Sequence, residues 1–294
     1  MKVFVPAHIT SLFFPVMDEN PLKAGSRGAG VSISHGYEVS VELVPGNGIQ
    51  IFQNGEKIPK EKAKITYEVA REYSEIIDNK IIVKQNFNIP TGSGYGSSAA
   101  GSLGTSICLG YLKNKTLHEA SRIAHRKEVI HGGGLGDVYP QIVGGVEVRR
   151  KEGAPGYGWV DNLIVNDDWK VVSASYGDLD TSKILNNEKK TNKIQSVSKK
   201  KIEQIINSPD LKSLMKHSRE FVEEVNLIEN PINNIFRELD KLMRINPSMI
   251  MLGKSVFGFV SKDNVKKVSE VLNRDEPEFG PIVSEIDYRG ARVI

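Results

Sequence analysis

The spacing of apolar and polar residues predicts where the chain forms strands and helices. Between Tyr37 and Val44 apolar and polar residues alternate, which is typical of a strand with one buried face. Between Lys60 and Ile77 the apolar residues fall at helical spacing instead. The same patterns predict further strands at Lys2–Ile9, Ile81–Phe87, Ile142–Val148, Trp159–Val165, Trp169–Ser175, Met249–Leu252, Val256–Val260 and Ile282–Asp287. They predict further helices at Ser97–Leu112, Thr116–Ile130, Lys212–Val225, Ile232–Arg244 and Asn264–Leu272.

The predicted elements form two groups. The upstream group mixes strands and helices around two glycine-rich turns, and the downstream group has helices followed by strand, helix and strand. We place a boundary near Asn166, which gives domains of residues 1–165 and 166–294. Lysines cluster at Lys189–Lys190 and Lys199–Lys201, and we expect both clusters on a solvated loop or helix face.

The charge of the chain is nearly balanced. With 39 basic and 36 acidic residues the net charge is +3, so neither nucleic acid nor a membrane surface is expected as the main partner. The single cysteine, Cys108, excludes an intrachain disulfide, fits a reducing compartment, and is expected to be a small buried side chain. The chain shows no signal-peptide pattern and no apolar run long enough to span a bilayer, so we expect a soluble, cytoplasmic protein.

The segment from Pro90 to Ala100 is the strongest functional motif. It is a glycine-rich turn leading directly into a predicted helix, an arrangement that offers free backbone N–H groups and the positive end of a helix dipole to an anion. It matches neither a Walker A loop nor a dinucleotide-binding fingerprint, and a flexible turn before a packed helix is the alternative. The candidate phosphate-binding residues are Gly92, Ser93, Gly94, Tyr95, Gly96, Ser97 and Ser98. The Ser98 hydroxyl is also a candidate magnesium ligand.

A second glycine-rich run, from His131 to Asp137, is followed by Gly144-Gly145. A carboxylate just after flexible glycines can approach bound phosphates and orient or deprotonate an attacking hydroxyl, so Asp137 is the candidate catalytic residue. A turn or capping aspartate is the alternative. Glu128, in the preceding helix, is a candidate magnesium ligand, and an exposed helix-end charge is the other interpretation.

A third candidate region lies near the first strand. Arg27 stands among small residues in Ser26–Gly30 and can offer a two-pronged guanidinium to a substrate carboxylate. His8 and Thr10, in the first strand, are candidate contacts to substrate hydroxyls. A surface arginine beside a tight turn is the alternative for Arg27.

These motifs, in this order, resemble the kinase superfamily that includes galactokinase, homoserine kinase, mevalonate kinase and phosphomevalonate kinase (GHMP kinases). Its central motif, Pro-x-x-x-Gly-Leu-Gly-Ser-Ser-Ala-Ala, is matched from Pro90 to Ala100 with Tyr95 in place of leucine. Asp137 resembles its glycine-flanked aspartate, and Met251–Gly258 approximates its C-terminal glycine-rich loop. Within the superfamily the chain resembles the archaeal pantoate kinases, over stretches that span nearly the whole sequence: Pro6–Thr10, Pro21–Gly30, Gly134–Val138 and Ser284–Arg292.

The resemblance implies a two-domain α+β fold, with an N-terminal domain like the second domain of ribosomal protein S5 and a ferredoxin-like C-terminal domain. It implies ATP with Mg²⁺ as phosphoryl donor and the 4-hydroxyl of (R)-pantoate as acceptor, giving 4-phosphopantoate for coenzyme A biosynthesis. It also implies that Ser98 lies near magnesium and Asp137 near the acceptor hydroxyl, and it assigns Gly253 and Ser255 to substrate binding. A homodimer is left open as the oligomeric state.

The chain departs from the superfamily at one catalytic position. Members with a catalytic lysine place it after Pro-Gly in the first strand, whereas here Pro6-Ala7 is followed by His8. Three groups of alternatives stay open: kinase activity on mevalonate, homoserine or shikimate, a catalytically silent ligand-binding relative, and an RNA-binding S5-like domain. The balanced charge argues against RNA.

Overall fold

The structure, a computed structural model, describes residues 1–166, 168–177, 188–251 and 253–294, with the backbone alone for 188–190. Leu252, predicted to lie in a strand, and the side chains of Lys189 and Lys190 therefore lie outside the described part. The strands are β1 (Lys2–Val16), β2 (Gly25–Val44), β3 (Ile49–Gln53), β4 (Glu56–Ile58), β5 (Lys80–Phe87), β6 (Val146–Lys151), β7 (Trp159–Leu163), β8 (Trp169–Ser175), β9 (Ser248–Ile250), β10 (Ser255–Ser261), β11 (Phe279–Ser284) and β12 (Arg292–Val293). The α-helices are α1 (Lys64–Ser74), α2 (Ser97–Leu112), α3 (Leu117–Ile130), α4 (Val138–Val143), α5 (Glu188–Asn207), α6 (Leu211–Glu224), α7 (Ile232–Leu239) and α8 (Val265–Arg274).

The first sheet is built around a long antiparallel pair, β1 and β2. Its strand order is β12-β1-β2-β5-β3-β4, with β6 and β7 attached beside β2. Because β2 is 20 residues long, its first half pairs with β6 at Gly28–Val31 and its second half with β5 at Tyr37–Val44. Strands β5 and β6 therefore lie along the same edge of β2, opposite β1.

Helices α2 and α3 set the position of the residues that follow the glycine turns. Helix α2 is made of small and apolar residues because it is buried along most of its length. A Cβ on Gly104 would lie 2.5 Å from Val39 Cγ2, so glycine lets this helix lie close to the sheet. Helix α3 begins at the predicted capping box, in which Thr116 accepts from the backbone of Glu119 and Glu119 accepts from the backbone of Thr116.

The second sheet is four-stranded and antiparallel, in the order β11-β8-β10-β9. Along the chain its strands and helices follow the order strand, helices, strand, strand, helix, strand, as in a ferredoxin-like arrangement. The expected boundary near Asn166 lies between β7 in the first sheet and β8 in the second, and β12 returns to the first sheet beside β1. The α+β fold class is confirmed.

The structure differs from the predicted elements in several segments: α7 ends at Leu239 rather than Arg244, and β1 and β2 extend beyond the predicted strands Lys2–Ile9 and Tyr37–Val44. The predicted strand Ile142–Val148 is instead the end of α4, the Gly144-Gly145 pair and the start of β6. The lysine-rich segment forms helix α5, and Lys201 is buried there, 2.6 Å from Glu220 and 2.7 Å from Glu224. Its expected solvated position is therefore wrong, while Lys199 and Lys200 are exposed as expected.

Two further expectations concern the chain as a whole. Cys108 is buried at 1% exposure, as expected of a small core side chain. Of the helices that the structure describes, none combines the length and the apolar character needed to cross a bilayer.

Candidate active site

The turn between β5 and α2 has the shape that its glycines allow. Gly92, Gly94 and Gly96 have positive φ angles of 84°, 86° and 66°, a conformation that glycine adopts without steric cost. A Cβ on Gly94 would lie 2.5 Å from the backbone oxygen of Met251, so the residue after β9 also packs against the turn. Gly96 is the N-cap of the 16-residue helix α2, whose first N–H groups face the end of the turn.

A cavity of about 550 Å³ opens on one side of this turn. Its walls come from the turn, from the first residues of α1 and from the second glycine-rich run. The lining includes Tyr37, Ile65, Thr66, Gly92, Ser97, Ser98 and Gly133. The larger cavity therefore brings three of the predicted phosphate-binding residues to one wall.

Glu128 lies directly behind Ser98. The Ser98 hydroxyl donates to Glu128 Oε1 at 2.9 Å, Ser102 donates to the same oxygen at 3.0 Å, and the Gly134 backbone donates to Oε2 at 2.8 Å. The Glu128 side chain is fully buried, so it is not the exposed helix-end charge of the alternative interpretation. Burial raises its pKa to about 7, although these hydrogen bonds oppose the rise.

A smaller cavity, of about 150 Å³, lies on the other side of the turn. It is lined by Thr10, Ser26, Gly94, Gly96, Gly134, Asp137 and Met251, among others. A Cβ on Gly96 would lie 3.4 Å from both Cβ and Cγ of Asp137, so the aspartate packs directly against the turn. Gly133 lines both cavities. The turn thus separates a large cavity from a small one, and Asp137 faces the small one.

Asp137 stands at the start of α4 but does not cap it. Its Oδ1 atom accepts from His8 Nδ1 at 2.8 Å and from the Thr10 hydroxyl at 3.5 Å. Burial alone would raise the pKa of Asp137, but His8, Arg149 and Thr10 together hold it below its usual value. The carboxylate is therefore ionised at neutral pH.

His8 is fully buried and has a carboxylate on each side. Its Nδ1 atom faces Asp137, and its Nε2 atom lies 2.8 Å from Oε1 of the buried Glu147. Burial would lower the pKa of His8, but the two carboxylates together raise it. The residue expected to contact substrate hydroxyls thus lies behind Asp137, with both ring nitrogens occupied.

The other predicted substrate residues lie at different distances from the cavities. Thr10 lines the smaller one. Ser255 donates to the backbone oxygen of Ser93 at 3.2 Å, and a Cβ on Gly253 would lie 2.7 Å from that oxygen, so both residues contact the turn from behind. Arg27 lines neither cavity, because it alternates with Ser26 along β2 and its guanidinium lies 5.6 Å from the Phe14 ring.

Sequence reasoning missed two buried charges, Glu147 and Arg149. Both lie on β6, two residues apart, so they face the same side of the sheet. Arg149 Nη1 donates to the Gly136 backbone at 3.0 Å and to Thr10 at 3.3 Å. Within the described residues its Nε and Nη2 atoms have no hydrogen-bond partner. The available signal was a pair of opposite charges alternating with valines just after Gly144-Gly145.

Known proteins share the sequence and fold around this site. The family model for the GHMP kinase N-terminal domain matches residues 61–145. A protein named pantoate kinase from Thermococcus kodakarensis is 40% identical over 93% of this chain and 92% of its own length. Another of that name from Methanocaldococcus jannaschii is 32% identical over 97% of this chain and 100% of its own.

A solved structure described as a phosphotransferase related to the CoA biosynthesis pathway superposes with a TM-score of 0.91. It is 37% identical and covers 99% of this chain and 98% of its own. The sequence relatives, the family model and the shared fold agree with one another. The chain therefore belongs to the pantoate kinase family, with a GHMP kinase domain in its N-terminal part.

Proposed function

We propose that this chain transfers the γ-phosphoryl group of ATP to the 4-hydroxyl of (R)-pantoate, giving 4-phosphopantoate for coenzyme A biosynthesis. The proposal depends on one observation above all: the glycine turn separates two cavities, and an ionised aspartate faces the smaller one. Membership of the pantoate kinase family supports the choice of donor and acceptor.

The larger cavity is the proposed site of ATP. The backbone of Gly92–Gly96 and the first N–H groups of α2 would hold the phosphates, with the hydroxyls of Ser97 and Ser98 beside them. The turn would then bring the terminal phosphate to the wall shared with the smaller cavity. Phosphoryl transfer has a loose transition state, so this positioning is the main contribution that the protein backbone makes.

We propose Ser98 and Glu128 as the residues that hold Mg²⁺. Both offer hard oxygen donors, which this ion prefers, and they meet beside the larger cavity. Among the described residues no group of three or more His, Cys, Asp or Glu side chains is placed to hold a metal by itself. That suits an ion that takes few protein ligands and shares the substrate phosphates, whose charge it would neutralise.

Asp137 is the proposed partner of the acceptor hydroxyl. Within the described residues its Oδ2 atom has no hydrogen bond, and a Cβ on Gly134 would lie 2.5 Å from it. The ionised carboxylate would accept a hydrogen bond from the pantoate 4-hydroxyl, turn that oxygen toward the phosphate and accept the proton late in the transfer. Thr10 would fix the direction of the carboxylate.

Arg149 is a stronger candidate than Arg27 to bind the pantoate carboxylate. It contacts Thr10 and Gly136, two residues that line the smaller cavity. Its two unpartnered nitrogens leave hydrogen-bonding capacity that a carboxylate would satisfy. Arg27 points to the opposite face of the sheet.

The experiment that tests the function is ADP release from ATP and Mg²⁺ with a panel of acceptors: pantoate, mevalonate, homoserine, shikimate and none. Release that depends on pantoate supports the proposal. Release that depends on another acceptor instead would show a kinase and reject pantoate as the substrate. ATP binding without release with any acceptor would indicate a catalytically silent relative.

A further inference from the structure

We propose that His8 and Glu147 form a buried positioning pair that keeps Asp137 ionised and holds one of its oxygens toward the acceptor. The inference rests on the proposed function, because it presupposes the role of Asp137 given there. Neither residue lines either cavity, and both are fully buried. They act through Asp137 and are therefore positioning residues.

The geometry favours a doubly protonated His8. His8 Nδ1 lies 2.8 Å from Asp137 Oδ1, and His8 Nε2 lies 2.8 Å from Glu147 Oε1. A neutral imidazole has one N–H donor and one acceptor nitrogen, whereas an ionised carboxylate can only accept. Two ionised carboxylates can both bond to the ring only if it has both protons. Each ring nitrogen faces a carboxylate oxygen and the two carboxylates together raise the pKa of His8, which favours the doubly protonated imidazolium.

Among the described residues, the polar and charged side chains around the His8 ring are Thr10 from β1, Glu147 and Arg149 from β6, and Asp137 from the start of α4. Glu128, on α3, acts on this cluster at longer range. The four charges of Arg149, Glu147, His8 and Asp137 sum to zero. Removing His8 alone would leave excess negative charge in a buried place.

The surrounding backbone leaves room for this pair. A Cβ on Gly30 would lie 2.8 Å from His8 Nε2 and 2.9 Å from Glu147 Oε1, so only glycine fits beside the bond. Glu147 Oε2 is buried without a hydrogen-bond partner in the described residues. Stability alone does not account for such a charge, because a well-packed apolar side chain at a buried position is often no less stable. A role in lowering the pKa of Asp137 through His8 explains why a carboxylate is kept at this buried position.

The bond from His8 also defines which oxygen of Asp137 is free. Oδ1 accepts from both His8 and Thr10, which leaves Oδ2 for the acceptor hydroxyl. The cation lowers the pKa of the carboxyl group, so Asp137 stays ionised to lower pH than an unperturbed aspartate does. His8 follows Pro6-Ala7 at the position where the superfamily lysine stands, and it supplies the cation there through a side chain that Glu147 holds from behind.

The test compares His8→Gln, His8→Lys and Glu147→Gln with wild type by the pH dependence of kcat with pantoate. The matched control is His118→Gln, which changes an exposed histidine on α3. We expect His8→Gln to lower kcat by about 10²-fold, the lower end of what a positioned proton acceptor contributes. Its acid limb should move to higher pH, because Asp137 loses the cation that lowers its pKa. His8→Lys, which restores a cation, should recover about tenfold of the loss and return the acid limb toward wild type.

Glu147→Gln should change the alkaline limb of the pH dependence of kcat. It keeps an acceptor for His8 but removes a negative charge, so the pKa of His8 falls. In alkaline solution the ring then loses its charge, its hydrogen bond to Asp137 is no longer charge-assisted, and kcat should fall there while wild type stays flat. A merely structural pair would change the melting temperature of the variants and leave both limbs in place, which would overturn the inference.

A second measurement does not depend on turnover. Nitrogen-15 NMR of ring-labelled histidine, assigned by the signal lost in His8→Gln, should show both His8 nitrogens protonated at neutral pH. A neutral ring in wild type would overturn the inference. If wild type itself shows no pantoate-dependent ADP release, the proposed function fails, and the NMR result still decides whether the buried pair exists.

Discussion

Ser98 and Glu128 are joined by a hydrogen bond of 2.9 Å, which ties the first turn of α2 to the last turn of α3. The bond places a fully buried carboxylate just behind the wall of the larger cavity. A buried carboxylate without a cation is costly when ionised. The metal-free protein should therefore show that cost in its stability.

Glu128→Gln should change how stability depends on pH in metal-free protein. Because the folded-state pKa of Glu128 is raised to about 7, its contribution is fully present below the usual 4.5 and is lost as pH rises toward 7. The loss amounts to about 3 kcal/mol. The melting temperature of Glu128→Gln relative to wild type should thus rise between about pH 4.5 and pH 7, measured by calorimetry in EDTA.

Glu270→Gln, an exposed change on α8, is the control and should show no such trend. Adding Mg²⁺ with ATP should stabilise wild type much more than Glu128→Gln, because the ion would bind the ionised carboxylate. A difference between the variants that does not change with pH would contradict the buried titration.

Asp137→Asn should separate turnover from ATP binding. The change keeps the size of the side chain but removes the charge that would orient the acceptor hydroxyl and accept its proton. We expect kcat to fall by about 10²-fold or more, while ATP affinity changes little. Steady-state kinetics and calorimetric titration with a non-hydrolysable ATP analogue measure the two effects. Equal losses in both would reject the role given to Asp137.

Arg149→Lys should weaken pantoate binding. Lysine keeps the charge but loses the planar pair of donors that fits a carboxylate. We expect the KM for pantoate to rise by about tenfold, which corresponds to one charge-assisted hydrogen bond, with a smaller change in the KM for ATP. Arg27→Lys is the matched comparison and should leave both constants near wild type. If Arg27→Lys raises the KM for pantoate and Arg149→Lys does not, Arg27 binds the carboxylate.

Gly94→Ala should disrupt the turn more than its backbone angle alone explains. Gly94 has φ of 86° and its added Cβ would lie 2.5 Å from the Met251 oxygen. Gly48 has φ of 104° and nothing within 4 Å of the same position, so Gly48→Ala reproduces the strain without the clash. The backbone strain should cost both variants about 1 kcal/mol of stability, but only Gly94→Ala should lose more than this and raise the KM for ATP. Similar ATP constants in the two variants would contradict the close approach.

Tyr95→Phe should weaken the contact between the glycine turn and the second sheet. The Tyr95 hydroxyl donates to Ser173 on β8 at 3.0 Å, and both residues are buried. Losing this bond should lower the free energy of unfolding by about 1 kcal/mol, measured by denaturant titration. Tyr111→Phe removes an exposed hydroxyl and should have no effect. If Tyr95→Phe costs as much in a Ser173→Ala background as in wild type, the bond does not contribute.

The sequence predicts best those elements whose signals are local. Helix α2 has the predicted bounds, and α3 begins at the predicted cap, because a glycine turn and a capping box act within a few residues. Helix α5 was missed because lysines obscure its apolar stripe, although Ile194, Ile202 and Ile205 are buried.

The first half of β2 shows why long-range contacts escape such reasoning. Ser26–Gly30 resembles a turn, yet it lies within a strand. Its glycines make room for side chains that come from distant parts of the chain: a Cβ on Gly28 would collide with Arg149, and one on Gly30 would crowd His8. The phosphate turn and Asp137 were recognised from local motifs, whereas the cluster behind Asp137 becomes visible only once β1, β2 and β6 lie side by side.

The contacts behind the glycine turn have a consequence for how the protein is made. All the residues proposed to bind phosphate precede residue 100. The turn they form, however, contacts Met251, Ser255 and Ser173. During synthesis the first sheet can therefore form before its nucleotide site has its final shape. A nascent chain ending near residue 166 should be compact yet unable to retain ATP. Nucleotide binding would then stabilise the full-length chain but not the nascent N-terminal part.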